Sequence, residues 1–228
     1  MIKRSKRYIK NKQLVDANKV YTVEEACSLV KETSNTKFNP SVNLVIKLNL
    51  DTTKAEQQLR GNITLPHYFG KKTRILILDD NLSAAAAKEE GIDFFGGNEQ
   101  ITKIKEGWID FDLIIATPKF MPELSKLGKI LGPKGLMPNP KLGTVTPNPL
   151  VIAKEFKKGK YNYRTDTYGN IHMAIAKGDS NVDQIIENIK FFIDFIKSKR
   201  PSTVKGDYFQ KIYVSSTMGP SIKIQLPN

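Results

Sequence analysis

The sequence predicts a mixed α/β protein whose two ends read as one kind of structure and whose middle reads as another. Val42, Leu44, Ile46, Leu48 and Leu50 alternate with Asn43, Lys47 and Asn49, the period of a strand with one face buried. Arg74-Ile-Leu-Ile-Leu78 and Asp112-Leu-Ile-Ile-Ala116 are instead short continuous apolar runs, as in parallel strands covered on both faces. Helical windows alternate with these inner runs, as a parallel α/β domain requires. With 228 residues the chain is long enough for two modest domains, each with its own core.

The elements follow in order. Thr22-Val-Glu-Glu25 is a capping-box pattern, Thr22 accepting from the N–H of residue 25 while Glu25 reaches back, and it predicts a helix over 23–34. The period-two strand comes next, then a short strand at Gly61-Asn-Ile-Thr-Leu65, closed by Pro66. Helical windows at 82–90 and 98–106 end at Gly91 and Gly107, and Thr117-Pro118 opens another helix, because proline suits a first turn whose N–H has no partner. Thr146-Pro147 starts a helix over 147–158 that Gly159 ends. Lys160–Asp166 and Asn170–Lys177 flank Thr-Tyr-Gly and read as a hairpin, with Tyr161 and Tyr163 on one face as core. Asp183 to Arg200 carries the strongest helical stripe, through Ile185, Ile186, Ile189, Phe192, Ile193 and Ile196. Ile212 and Val214, then Ile222, Ile224 and Leu226, mark two last strands around Thr217-Met-Gly-Pro220. Insertion of the middle into the outer segments is one economical account. Periodicity leaves open whether the outer halves meet.

The net charge is +13, which solubility alone does not require and which points to a polyanionic partner. Residues 79–112 carry nine acids against three lysines, a net of −6 that leaves +19 for the rest. No acid occurs from Leu124 to Lys154, and the first twelve residues hold six Lys or Arg and no acid. The chain is therefore polarised, with an anion-facing side. No apolar run approaches the ~20 residues that span a bilayer, and the basic start lacks the apolar core of a secretory signal, so a membrane partner is not expected. Cys27, the single cysteine, fits a buried helical position in a reducing, cytosolic compartment.

Catalytic chemistry finds no support. Leu131-Gly-Pro-Lys-Gly-Leu-Met-Pro-Asn-Pro-Lys-Leu-Gly143 has the glycines and lysines of a phosphate cradle, which keeps a phosphate- or nucleotide-handling enzyme as the alternative reading. Yet neither Gly70-Lys71 nor Gly128-Lys129 has glycine five residues earlier, and no GxGxxG follows the first parallel strand. Gly132-Pro-Lys-Gly135 matches the GxxG of KH modules, but the prolines after it oppose the helix such a module needs. His67 and His172 have no carboxylate or thiol at metal spacing, the paired acids fit a solvated face, and no cofactor is implied. Nucleic-acid binding is better served, since Lys and Arg cluster at 3–12, 71–74, 126–141, 154–164 and 197–205 with Phe38, Tyr168 and Tyr208 among them.

Lys37-Phe38, Gly61, Leu65-Pro-His67, Gly96-Gly97, Gly107-Trp-Ile-Asp-Phe-Asp112, Ala116-Thr-Pro118, the long run from Leu127 to Lys141, Gly143-Thr-Val145, Arg164, Asp166, Gly169, Ile171-His172 and Ser216-Thr-Met-Gly-Pro220 occur in order. Together they resemble the ribosomal protein L-one family of bacterial type, over nearly the whole chain. The resemblance implies a split α+β domain I from residues 1–67 and 160–228, and an inserted Rossmann-like parallel α/β domain II from 68–159, joined by a two-stranded hinge near His67 and Gly159. It implies a protein of the mobile stalk beside the tRNA exit site, monomeric when free, that binds the stalk region of large-subunit rRNA through domain I. It implies as well a part in releasing deacylated tRNA, and translational repression through the leader of the protein's own mRNA.

Carried over by residue, the RNA face implied is Lys37, Phe38, Ser41, Arg164, Asp166, His172, Thr217, Met218, Gly219 and Pro220. Gly219 would let backbone approach RNA, Met218 would offer a soft apolar contact, and Thr217 would bond a 2′-hydroxyl. Lys134 and Lys141 would face a secondary RNA or tRNA surface from a rigid loop. The family usually has Thr at 41, Glu at 43 and Lys at 167. Here Ser41 keeps the hydroxyl, Asn43 gives up a carboxylate and Thr167 gives up a cation.

Overall fold

A computed structural model describes residues 4–70, 73–79 and 92–227, so the helix expected over 82–90 lies outside the described residues. The described elements are, in chain order, α1 (Lys6–Gln13), α2 (Val23–Thr33), β1 (Ser41–Leu48), β2 (Arg60–Thr64), β3 (Ile75–Leu78), β4 (Phe94–Gly96), α3 (Asn98–Lys105), β5 (Leu113–Ala116), α4 (Met121–Lys126), α5 (Gly128–Leu131), α6 (Pro149–Lys157), β6 (Lys160–Arg164), β7 (Asn170–Lys177), α7 (Val182–Ser198), β8 (Phe209–Ser216) and β9 (Ser221–Ile224). The chain divides into two compact units, Met1–Phe69 with Tyr163–Asn228, and Gly70–Asn162.

The first unit is built on an antiparallel sheet of order β7-β1-β8-β9. Alternation in β1 buries Val42, Leu44, Ile46 and Leu48, and the helices that cover this face supply Ala26, Cys27 and Val30 from α2 and Ile185, Ile189, Phe192, Ile193 and Ile196 from α7. At about 25 cal/mol per Å² of apolar surface, each fully buried Ile or Leu stabilises this layer by roughly 1.5–3 kcal/mol. The capping box at the start of α2 forms in both directions, with Glu25 N to Thr22 Oγ1 and Thr22 N to Glu25 Oε2 each 3.2 Å. Burial pushes the Cys27 thiol up to about 12, helped by the nearby Glu24 charge, so Cys27 is a packed apolar side chain and no nucleophile. Asn188 is buried in α7 with its amide satisfied: it donates to the carbonyls of Ile175 (2.8 Å) and His67 (3.0 Å) and accepts from the His67 N–H (3.1 Å).

Helix α1 departs from the sequence reading, which treated the first twelve residues only as a basic segment. Ser5 Oγ caps it by accepting from Tyr8 N at 3.3 Å, and Asn11, 1% exposed, donates to the carbonyl of Thr33 at 2.8 Å. Its hold is polar, so no apolar stripe announced it.

The hairpin at Thr-Tyr-Gly needs a correction. The turn closes, with Asp166 N donating to the carbonyl of Asn170 (2.8 Å) and Gly169 at φ 78°, but β6 pairs with β2 while β7 pairs with β1. A single bridge, Thr165 to Ile171, joins the two arms. Packing explains the divergence. Tyr163 stands edge-on to Phe192 and Phe195 and lies so close over Gly61 of β2 that a Cβ there would sit 2.9 Å from its hydroxyl. Tyr163 is core, as the period-two spacing predicted, whereas Tyr161 is only half-buried.

The second unit contains a parallel sheet of order β4-β3-β5. Ile75 and Ile77 of β3 pack toward Ala153 and Phe156 of α6, and Leu76 and Leu78 pack toward Ile101, Ile104, Leu124 and Leu131 on the other side. Both faces are covered, which is why these strands read as unbroken apolar runs. The helix expected at Thr117-Pro118 forms as a single tight turn, Pro118–Phe120, that continues into α4 and, after Leu127, α5.

Candidate nucleic-acid interface

Among the described residues α2 and α7 are the helices packed on the β7-β1-β8-β9 sheet, and the alternation that buries one set of side chains toward them presents the other on the opposite face. Register places them in rows. Ser41 stands beside Lys177, Asn43 between Ala174 and Ser215, Val45 between His172 and Tyr213, and Lys47 between Asn170 and Lys211, while Tyr213 faces Lys223. None of the four strands contains Asp or Glu. With strands ~4.8 Å apart and ~3.4 Å per residue, the face is about 14 Å wide and 20 Å long, enough for a few nucleotides of a folded RNA. Lysines on strands that carry no acid of their own, set around His172 and Tyr213, suit phosphates interleaved with bases or riboses.

The end of the face where β1 starts and β8 stops is closed by a turn. Thr217 N donates to the carbonyl of Ser41 (2.9 Å), Thr217 Oγ1 donates to the same carbonyl (3.1 Å), and Ser41 N donates to Thr217 Oγ1 (3.0 Å). The Thr217 hydroxyl is thus mostly used within the protein, with one lone pair left to accept from a ligand. Ser41 Oγ accepts from Lys177 Nζ at 2.9 Å, the structural use of the hydroxyl kept at this position. Met218 follows at φ 64°, the one non-glycine residue with positive φ among the described residues, and is 68% exposed. A left-handed residue with a Cβ costs roughly 1–2 kcal/mol, and such strain persists where surroundings fix it. Gly219 N donates to the carbonyl of Ser216 at 2.9 Å, and a Cβ on Gly219 would lie 2.3 Å from Ser216 Oγ, a buried hydroxyl with no hydrogen-bond partner. Pro220 is buried behind the turn.

Lys37 and Phe38 lie in the exposed segment leading into β1, Phe38 being 55% exposed. These two, Ser41, Thr217, Met218 and Gly219 therefore gather at one end of the sheet. His172 lies mid-face. Asp166 flanks it, with His172 Nε2 3.3 Å from Asp166 Oδ2. Burial opposes the Asp166 charge, but hydrogen bonds from the Asn170 side chain and N–H, the Tyr168 N–H and the His172 ring outweigh it and hold the carboxyl at about 2. The carboxylate is therefore hydrogen-bonded within its own loop and lies beside the His172 ring. Arg164, exposed at the end of β6, lies on the other small sheet. Lys47, Lys177, Lys211, Lys223 and Tyr213 were missed by sequence reasoning. The outward half of each period-two strand was the available signal.

The glycine-rich loop lies in the second unit. Its amides turn inward: Gly132 N donates to Gly128 O, Gly135 N to Gly132 O, Leu136 N to Leu131 O, Asn139 N to Thr144 Oγ1 and Gly143 N to Pro140 O. A phosphate cradle needs such N–H groups aimed outward. Gly135 and Gly143, at φ 70° and 66°, supply the left-handed turns that the path requires. Lys134 is exposed on the loop; Lys141 lies in the short helix Pro140–Leu142, its side chain outside the described residues. Among the described residues no group of His, Cys, Asp and Glu is placed to hold a metal ion, and no helix is long and apolar enough to cross a membrane.

The family described as ribosomal protein L1p/L10e matches residues 30–220, the span from late α2 through the Met218 turn. The chain belongs to the ribosomal protein L1p/L10e family. A Mycoplasma genitalium protein named "Large ribosomal subunit protein uL1" is 53% identical over 228 residues, covering 100% of both chains. Its namesake in Mycoplasmoides gallisepticum is 55% identical over 211 residues, 92% of each chain. Another, from Malacoplasma penetrans, is 56% identical over 210 residues, 92% of this chain and 62% of its own length. Members of the L1p/L10e family are structural, RNA-binding ribosomal proteins without enzymatic activity. That character agrees with a site made of a charged face and a strained turn, and with a glycine-rich loop most of whose amides bond within it.

Proposed function

We propose that this chain is a constituent of the large ribosomal subunit, cytoplasmic and ribosome-associated, which binds the stalk region of large-subunit rRNA through the open face of its four-stranded sheet. The single observation that carries this reading is the junction of that lysine-bearing face, whose strands contain no acid, with the exposed, left-handed Met218 turn. Lysines supply salt-dependent affinity, while Met218, Gly219 and Phe38 meet the RNA where close approach and apolar contact are available. The split unit containing both chain ends is the RNA-binding domain of this proposal, and Arg164, Asp166 and His172 extend its footprint. Lys134 and Lys141 serve a secondary RNA or tRNA surface. The bound stalk lies near the tRNA exit site, where the protein takes part in release of deacylated tRNA, and a stalk-like hairpin in the leader of its own mRNA gives it a target for translational repression.

The test is binding to a labelled stalk-rRNA fragment. The double variant Thr217→Ala, Met218→Ala should bind at least about tenfold more weakly, since ~1–3 kcal/mol per good contact is typical of specific nucleic-acid readout. Wild-type affinity in that variant would remove the turn from the interface.

A further inference from the structure

We infer that Arg7, on the N-terminal helix, is a positioning residue that sets the Met218 turn for RNA; the inference rests on the reading of that turn as part of the RNA site. Arg7 Nη2 donates to the carbonyl of Met218 at 3.0 Å, and Arg7 Nη1 donates to Asn35 Oδ1 at 3.2 Å. Asn35 is itself fixed: its amide exchanges hydrogen bonds with that of Asn11 (2.9 and 3.1 Å), and buried Asn11 also donates to the carbonyl of Thr33 at the end of α2. One guanidinium thus ties α1 to two separate loops, the segment before β1 that displays Phe38 and the turn that displays Met218.

The turn needs such a tie. Thr217 is anchored to Ser41 and Gly219 to Ser216, yet Met218 between them adopts a backbone conformation that residues with a Cβ rarely hold. Its carbonyl is held by Arg7, so the guanidinium acts on the 218–219 peptide plane and braces the backbone on which the Met218 side chain is displayed. Arginine suits the task because its planar fork serves two acceptors at once, which a lysine ammonium does not do in one geometry. Both acceptors are neutral. Direct binding of a phosphate by Arg7 is therefore the competing role, and it has a different salt signature.

The full-length chain with Arg7→Gln is titrated with a labelled stalk-rRNA fragment across a range of KCl, alone and combined with Met218→Ala. A positioning role predicts about tenfold weaker binding, an unchanged slope of log affinity against log salt, partial recovery with Arg7→Lys, and no further loss from Arg7→Gln once Met218 is alanine. A slope reduced by roughly 0.7–0.9, the signature of one lost phosphate contact, with a loss that persists in the Met218→Ala background, would overturn the inference. So would wild-type affinity in Arg7→Gln. If Met218→Ala alone binds as wild type, the turn leaves the proposed RNA site and the inference at Arg7 falls with it, whereas the sheet face stands or falls by its own lysine variants.

Discussion

Gly219→Ala places a methyl group 2.3 Å from Ser216 Oγ and 3.3 Å from the Ser216 carbonyl oxygen. The first contact is about an ångström inside van der Waals distance, so the turn or the serine must move, and overpacking of this kind costs typically ~1–3 kcal/mol. Ser216 Oγ is buried and lacks a hydrogen-bond partner, so Ser216→Ala removes a desolvated hydroxyl that contributes nothing and should leave stability unchanged or raise it by up to ~1 kcal/mol. In the Ser216→Ala background the nearest remaining side-chain atom to the new methyl is the Cβ of residue 216, at an ordinary 3.5 Å. The cost of Gly219→Ala should therefore shrink there, giving a coupling of about 1–2 kcal/mol between the two sites. Urea unfolding of wild type, both single variants and the double variant measures it, and stalk-RNA binding should follow the same pattern. Strict additivity, or a Ser216→Ala variant destabilised by more than ~1 kcal/mol, would refute the reasoning.

Phe38→Ala should leave the urea midpoint within error, because the ring is 55% exposed, while stalk-RNA affinity falls by about five- to a hundredfold if the ring stacks on a base. Equal affinity by fluorescence anisotropy would remove Phe38 from the interface. Asp166 has its native carboxyl at about 2 against an ordinary 3.8, so its contribution to stability is complete above pH 3.8 and is lost as pH falls toward 2. Asp166→Asn should be less stable than wild type at neutral pH and converge with it near pH 2; a difference that stays constant across that window would show that the Asp166 hydrogen bonds do not favour the charged form.

Much of the fold was legible in the sequence because two periods were written without interruption. The stripe through Ile185, Ile189, Phe192, Ile193 and Ile196 and the alternation from Val42 to Leu48 each bury one face, and both appear as expected. What was not legible depended on partners distant in sequence. Helix α1 is held by Asn11 reaching Thr33 and Asn35 rather than by an apolar stripe. The strands either side of Gly169 diverge because Tyr163 finds Gly61 and Phe195, which local turn chemistry cannot foresee. The site shows the same division. Phe38, Met218 and Gly219 were reachable through resemblance, but Lys211, Lys223 and Tyr213 become a surface only when register sets β8 and β9 beside β1. The bonds of Thr217 to Ser41 likewise cross the sheet, so the latch they place on the turn could not be read from the local sequence.

The central claim, that the open face of the β7-β1-β8-β9 sheet grips RNA, is tested most directly by the salt dependence of stalk-RNA binding in two paired variants of the full chain. Lys211→Gln with Lys223→Gln removes two cations from the face and should weaken binding while lowering the slope of log affinity against log salt by roughly 1.4–1.8. Lys134→Gln with Lys141→Gln, on the glycine-rich loop, should leave both nearly unchanged. A slope that holds in the first pair and falls in the second would contradict the account and move the RNA grip to the second unit.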